Sequence, residues 1–105
     1  MNKQKILNAL ENGSVEWRKH ALERMLERDI GRKEVLSALE EGDIIEYYEN
    51  DTPFESALFF YIGAKPVHVV ASLDELSQTI YVITAYVPST AHFFDDLKTR
   101  RDDET

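Results

Sequence analysis

Apolar residues recur every three or four positions in the first part of the chain, as they do along one face of an α-helix. Glycines at positions 13 and 42 mark the ends of two of these stretches. The pattern predicts a short extended piece at Val15–Arg18 and three helices, at residues 3–11, at Lys19–Glu27 and from about Gly31 to Gly42. Because only a few residues join the second and third helices, we expect these two to form a compact angular pair.

After Gly42 the pattern changes to β-branched and aromatic runs, which are typical of strands. Four strands are predicted, at Ile44–Tyr48, Ala57–Ile62, Val67–Leu73 and Thr79–Val87. The links between the last three are too short for a crossover, so neighbouring strands should run antiparallel. The expected fold is therefore α+β, with N-terminal helices packed on a four-stranded antiparallel meander.

Neither face of this predicted sheet is plainly polar. Alternation on the third strand separates Val67, Val69 and Ala71 from His68, Val70 and Ser72. On the fourth strand, alternation places Ile80, Val82, Thr84 and Tyr86 on one face. One face must cover the helices, and the other is then a partly apolar surface with His, Thr and Tyr side chains. Such a surface suits a substrate groove, a protein partner or a homodimer.

The length of 105 residues, 43% of them hydrophobic, fits one small domain with a single core. We expect that domain to span residues 1–97, with a final helical turn at Thr90–Leu97. Residues 98–105 are mostly charged and are predicted to form a polar C-terminal tail.

Several classes of site and location are disfavoured by composition. The chain has no cysteine, which excludes disulfides, a thiolate zinc site and a cysteine nucleophile. Its three histidines, His20, His68 and His92, are far apart and lack ligand spacing, so we expect no metal and no other cofactor. No apolar stretch is long enough to span a membrane, and the first residues lack the apolar block of a signal peptide. We therefore expect a cytoplasmic protein without a membrane partner.

The formal net charge of −8 argues against general attraction to nucleic acid. The charge is uneven, however: the net charge is +2 for residues 1–37, −10 for residues 38–97 and zero for residues 98–105, which together give −8. A local anion site among the helices is therefore compatible with an acidic remainder. That remainder is either a surface for a basic partner or simply a source of solubility.

His20, Arg24 and Arg28 recur at four-residue spacing in the second predicted helix, so their side chains should form one ridge. Histidine can move a proton near neutral pH, and arginine presents a planar fork suited to phosphate oxygens. The alternative is an ordinary surface helix, in which Glu23 and Glu27 neutralise the arginines.

The chain also resembles a family through three elements taken together. Over residues 15–97 it is similar to the bacterial domain-of-unknown-function family 4258. The elements are Trp17-x-x-His20-Ala21-x-x-Arg24-Met25-x-x-Arg28-x-Ile30, Lys65-Pro66-Val67-His68-Val69-Val70, and Ile83-Thr84-Ala85-Tyr86-x-Pro88.

That resemblance implies a fold like the RelE and barnase-like ribonucleases, and a role as the toxin of a toxin–antitoxin pair with an antitoxin protein as partner. The residues that match the family's polar positions are His20, Arg24, Arg28, His68 and Tyr86. The acidic charge departs from strongly basic ribosome-dependent toxins, so we do not expect a large ribosomal RNA footprint.

Cleavage of RNA without a metal needs a base for the ribose 2′-hydroxyl, cations for the phosphate and an acid for the leaving oxygen. We hypothesise catalytic roles for His20, His68 and Tyr86, with Arg24 and Arg28 binding the RNA phosphate. The sequence leaves open whether the two histidines share a pocket. The alternative function is a catalytically inert domain that binds a protein through the sheet face.

Overall fold

A computed structural model describes residues 1–100. The protein is α+β, as predicted, with three helices on a five-stranded mixed sheet. The helices are α1 Lys3–Asn12, α2 Lys19–Glu27 and α3 Arg32–Glu41; the strands are β1 Ser14–Trp17, β2 Asp43–Tyr48, β3 Ser56–Ile62, β4 Pro66–Asp74 and β5 Thr79–Tyr86. None of the helices in this part of the chain is long and apolar enough to cross a membrane.

The sheet order is β1-β5-β4-β3-β2, and the four later strands form the predicted antiparallel meander. The prediction of a four-stranded, wholly antiparallel sheet is wrong, because β1 adds a parallel strand beside β5, with Ser14 opposite Thr79. Gly13 permits this close approach. A Cβ atom at that position would lie 1.8 Å from the Gln78 carbonyl oxygen.

The helices cover one face of the sheet and form the core with it. Ala21 and Met25 of α2, Val35 of α3 and the sheet residues Val67 and Val69 are buried in one apolar cluster. Ala21 and Met25 are four residues apart in α2, which places both side chains on the same side of that helix. The predicted division of β4 into two faces is therefore confirmed: Val67, Val69 and Ala71 face the helices, and His68 belongs to the opposite face.

A β-bulge in β5 changes the alternation predicted for that strand. Neighbouring β4 residues at positions 70 and 71 pair with Thr84 and Val82, so Ile83 is the extra residue. Val82 faces the helices, whereas Tyr86 faces away from them, in contact with the His68 ring. The prediction that Val82, Thr84 and Tyr86 share a face is therefore wrong, because alternation does not continue through a bulge.

The C-terminal segment, residues 87–100, folds back over the sheet. It starts with one hydrogen-bonded turn, in which the Phe93 amide donates to the Ser89 carbonyl. An antiparallel bridge then joins Phe93 to Arg100, and the Phe93 side chain is buried. Residues 98–100 of the predicted tail thus make defined contacts, and the remainder of that tail lies outside the described residues.

Candidate functional site

The sheet face that points away from the helices carries the candidate chemistry, and we call it the open face. The strand register arranges its residues on β3, β4 and β5 in three successive rows. The rows are Phe60–His68–Tyr86, Leu58–Val70–Thr84 and Ser56–Ser72–Tyr81. The C-terminal segment covers the first row, because Phe93 and Leu97 both contact His68.

His68 is fully buried, and both of its ring nitrogens have partners. Nε2 lies 2.7 Å from the Leu97 carbonyl oxygen, and Nδ1 lies 3.3 Å from the Tyr86 hydroxyl. Because a carbonyl oxygen only accepts, Nε2 must carry the proton, which leaves Nδ1 to accept from Tyr86. Burial lowers the pKa of His68, so the neutral imidazole is favoured.

Aromatic rings enclose this imidazole. Phe60 and Phe93 meet it edge to face, with ring centroids 5.5 Å and 4.7 Å from that of His68. The Tyr86 ring completes the enclosure at 5.2 Å. Packed rings and two hydrogen bonds hold His68 in one orientation, and His68 in turn orients the Tyr86 hydroxyl.

A second group of polar side chains lies on the same face and was not identified from the sequence. The Glu46 carboxylate accepts a hydrogen bond of 2.5 Å from the Tyr48 hydroxyl and one of 2.8 Å from Arg100 Nε. Burial, with help from the Glu46 hydrogen bond, raises the pKa of Tyr48 to about 12. Only the polar Glu46 within the apolar run of β2 signalled this group, and its partner Arg100 is 54 positions away.

Arg100 joins this group to Tyr86 across a surface cleft. Its guanidinium lies 4.9 Å from the centroid of the Phe93 ring. The cleft has a volume of about 290 Å³ and is lined by Tyr86, Val87, Ser89, His92, Phe93 and Arg100. Burial raises the pKa of Tyr86, so its side chain remains a neutral phenol in this cleft. The cleft is therefore lined by a cation and a neutral phenol.

Arg28 approaches the same region from the helix layer. Its Nη1 atom donates a hydrogen bond of 2.9 Å to the Ala85 carbonyl, beside Tyr86. This carbonyl belongs to the part of β5 that extends beyond the last β1 pair, Trp17 with Val82. Arg28 thus satisfies a backbone acceptor at the sheet edge and places its charge near the Tyr86 hydroxyl.

The other two residues of the predicted ridge stay on the outer surface of α2. The His20 side chain is 90% exposed, and its Nδ1 lies 3.6 Å from the Glu23 carboxylate. Arg24 Nη1 lies 3.2 Å from the Glu27 carboxylate. The structure therefore brings His68, Tyr86 and Arg28 towards one place and leaves His20 and Arg24 beside glutamates of their own helix. The catalytic and phosphate-binding roles given to these five residues stay predictions.

Comparison with known protein families shows to which family the chain belongs. Residues 17–87 match the family model described as Domain of unknown function (DUF4258), and this match covers more than half of the sequence. The chain belongs to the DUF4258 family. A search of curated proteins found no match, and a search of solved structures found none either. The DUF4258 region contains Glu46, His68 and Tyr86, whereas Arg100 lies beyond its end.

Metal ligands are not grouped in the part of this DUF4258 protein that the structure describes. Among residues 1–100, no three His, Asp or Glu side chains lie where they could hold a metal ion together.

Proposed function

We propose that this protein is a metal-independent endoribonuclease with a RelE-like fold, acting as the toxin of a bacterial toxin–antitoxin pair. One observation carries the proposal: Arg100, whose guanidinium is paired with the Glu46 carboxylate, lines one cleft together with Tyr86. A base, a cation and a hydroxyl donor are the groups that RNA cleavage by 2′-hydroxyl attack requires.

The paired state of Glu46 suggests how the reaction begins. An RNA phosphate that binds Arg100 replaces Glu46 as its partner, which frees a carboxylate oxygen to take the proton of the ribose 2′-hydroxyl. The 2′-oxygen then forms a bond to phosphorus while the bond to the 5′-oxygen breaks, leaving a 2′,3′-cyclic phosphate. The leaving oxygen takes a proton from Tyr86. Arg28 and Arg100 stabilise the resulting phenolate until water carries the proton held by Glu46 to Tyr86, which restores both groups.

In this scheme His68 is a positioning residue. It accepts from the Tyr86 hydroxyl in the resting protein and so fixes where that hydroxyl lies. The predicted role of His68 as base or acid would require the Leu97 carbonyl to leave Nε2.

A second candidate function is the inert protein-interaction domain. It is favoured by the full burial of His68, because a histidine with both nitrogens engaged commonly has a structural role. The open face or the acidic surface would then bind a protein. An antitoxin partner and a homodimer are compatible with both candidates.

Induced expression in a bacterial host without an antitoxin tests the choice. Growth arrest with fragmented RNA is expected for the native chain and for Glu49→Gln, an exposed control in the turn after β2. Glu46→Gln should abolish both effects, provided that its melting temperature is close to that of the native chain. Purified protein should cleave RNA in the presence of a metal chelator. Normal growth and intact RNA with the native chain would instead support the interaction domain.

A further inference from the structure

The open face carries another cleft at the end opposite to His68. It has a volume of about 190 Å³, and its lining includes Arg18, Asp51, Phe54, Ser56, Ser72 and Ile83. Ser56 and Ser72 belong to the third row of the open face, and His68 belongs to the first. Four residues of β4 separate these rows, which corresponds to about 13 Å along the strand.

Flat groups are stacked beside this cleft. The Phe54 and Tyr81 rings are nearly parallel, at 3°, with centroids 5.6 Å apart. The Arg18 guanidinium lies 5.4 Å from the centroid of Tyr81. Aromatic rings and guanidinium planes are the surfaces on which unpaired nucleobases stack. Two members of this group, Phe54 and Arg18, line the cleft and supply it with an aromatic ring and a guanidinium.

Polar groups in the same cleft suit the edge of a base. The Ser56 and Ser72 hydroxyls hydrogen-bond to each other at 2.9 Å and form part of the lining. Asp51 adds a carboxylate, which accepts hydrogen bonds from ring or exocyclic N–H groups. The combination of a planar apolar wall with hydroxyl and carboxylate groups is typical of a site for a flat polar heterocycle.

We propose that this cleft binds a nucleobase of the same RNA strand whose phosphate lies at Arg100, so that the substrate is single-stranded RNA spanning several nucleotides. The inference rests on the proposed function. It accounts for how a chain of net charge −8 can bind RNA, because stacking supplies affinity that does not depend on a large number of phosphate contacts. A duplex is excluded, because its bases are already stacked and paired.

The test compares the binding of a fluorescently labelled 12-nucleotide single-stranded RNA with that of a labelled dinucleotide. Phe54→Leu keeps apolar volume but removes the planar ring, and should weaken binding of the longer RNA by about tenfold while leaving the dinucleotide unaffected. Arg18→Gln should act in the same direction. Tyr47→Leu removes an exposed aromatic ring from β2 and should leave both affinities as they are. Thermal melts establish that each variant is folded.

The outcomes separate this proposal from the proposed function. If the native chain cleaves RNA and Glu46→Gln does not, but Phe54→Leu binds both probes as the native chain does, only the base site is overturned. An equal loss of binding for both probes also overturns it, as does tight binding of a duplex of the same sequence. If the native chain binds neither RNA, both proposals are wrong.

Discussion

The Nε2 atom of His68 donates a 2.7 Å hydrogen bond to the carbonyl oxygen of Leu97, and this contact joins the C-terminal segment to the sheet. The two residues are 29 positions apart. Because the same imidazole accepts from Tyr86, one neutral side chain connects the segment to the candidate site. The protonation state of His68 should therefore influence the stability of the whole arrangement.

The first prediction concerns pH. Burial lowers the pKa of His68 in the folded protein, whereas the unfolded chain has an ordinary value of about 6.5. As the pH falls below that value, the unfolded state binds more protons than the folded state, so the free energy of unfolding should decrease. Urea denaturation at about pH 7.5 and about pH 5.5 measures this change, since the two values bracket the ordinary pKa.

His68→Gln is the matched variant, because it removes the titrating group and keeps a polar side chain. It should lower stability at both pH values and reduce the difference between them. An unchanged difference would show that His68 is not the source of the pH dependence.

The second prediction separates Arg28 from Arg24. Arg28→Gln should lower the free energy of unfolding by about 1.5 kcal/mol, because the Ala85 carbonyl loses a charged hydrogen-bond donor. Arg24→Gln should change it by about 0.3 kcal/mol, because its pair with Glu27 is exposed. Chemical denaturation of the two variants side by side tests this order, and equal effects would contradict the structural role of Arg28.

The third prediction concerns the two glycines that flank α2 and β1. Gly13→Ala should destabilise the fold by about 2 kcal/mol or more, since its Cβ would collide with the Gln78 carbonyl. Gly31→Ser is the control: no atom lies within 4 Å of a Cβ there, and serine is a favourable residue before a helix. Melting temperatures should fall clearly for the first variant only.

The fourth prediction isolates the Tyr86 hydroxyl. Tyr86→Phe keeps the ring against His68 and removes one hydrogen bond, so it should cost about 1 kcal/mol of stability. If Tyr86 protonates the leaving oxygen, RNA cleavage should fall at least a hundredfold, roughly the lower bound for general acid catalysis. Cleavage measured below the melting temperature of the variant provides the test, and near-native rates would remove Tyr86 from the mechanism.

The sequence predicted the elements well, because periodicity and glycine positions are local signals. All three helices and the four meander strands lie within about two residues of their predicted bounds. The β1–β5 pairing was missed because four residues of extended chain contain no information about a partner so far along the sequence. The bulge at Ile83 was missed because neither face of β5 is plainly polar, so a shift of one residue leaves no clear break in the pattern.

The candidate site was predicted less completely, for a related reason. His68 and Tyr86 could be identified because they interrupt apolar strands, and the register brings them together. The Glu46–Arg100 pair depends on a chain reversal after β5, and the charged composition around Arg100 resembles an ordinary polar tail. His20 and Arg24 show the opposite error, since helical spacing placed them near Arg28 but could not show that Arg28 alone reaches β5.

The parallel pairing of β1 with β5 also determines when the protein can assemble during synthesis. Ser14 is made early, but its partner Thr79 emerges from the ribosome 65 residues later, the difference between positions 79 and 14. Until then α2 also lacks the strand with which it makes most of its contacts. The native sheet therefore cannot be completed on a partial chain, and any activity on its open face appears only after translation has passed β5.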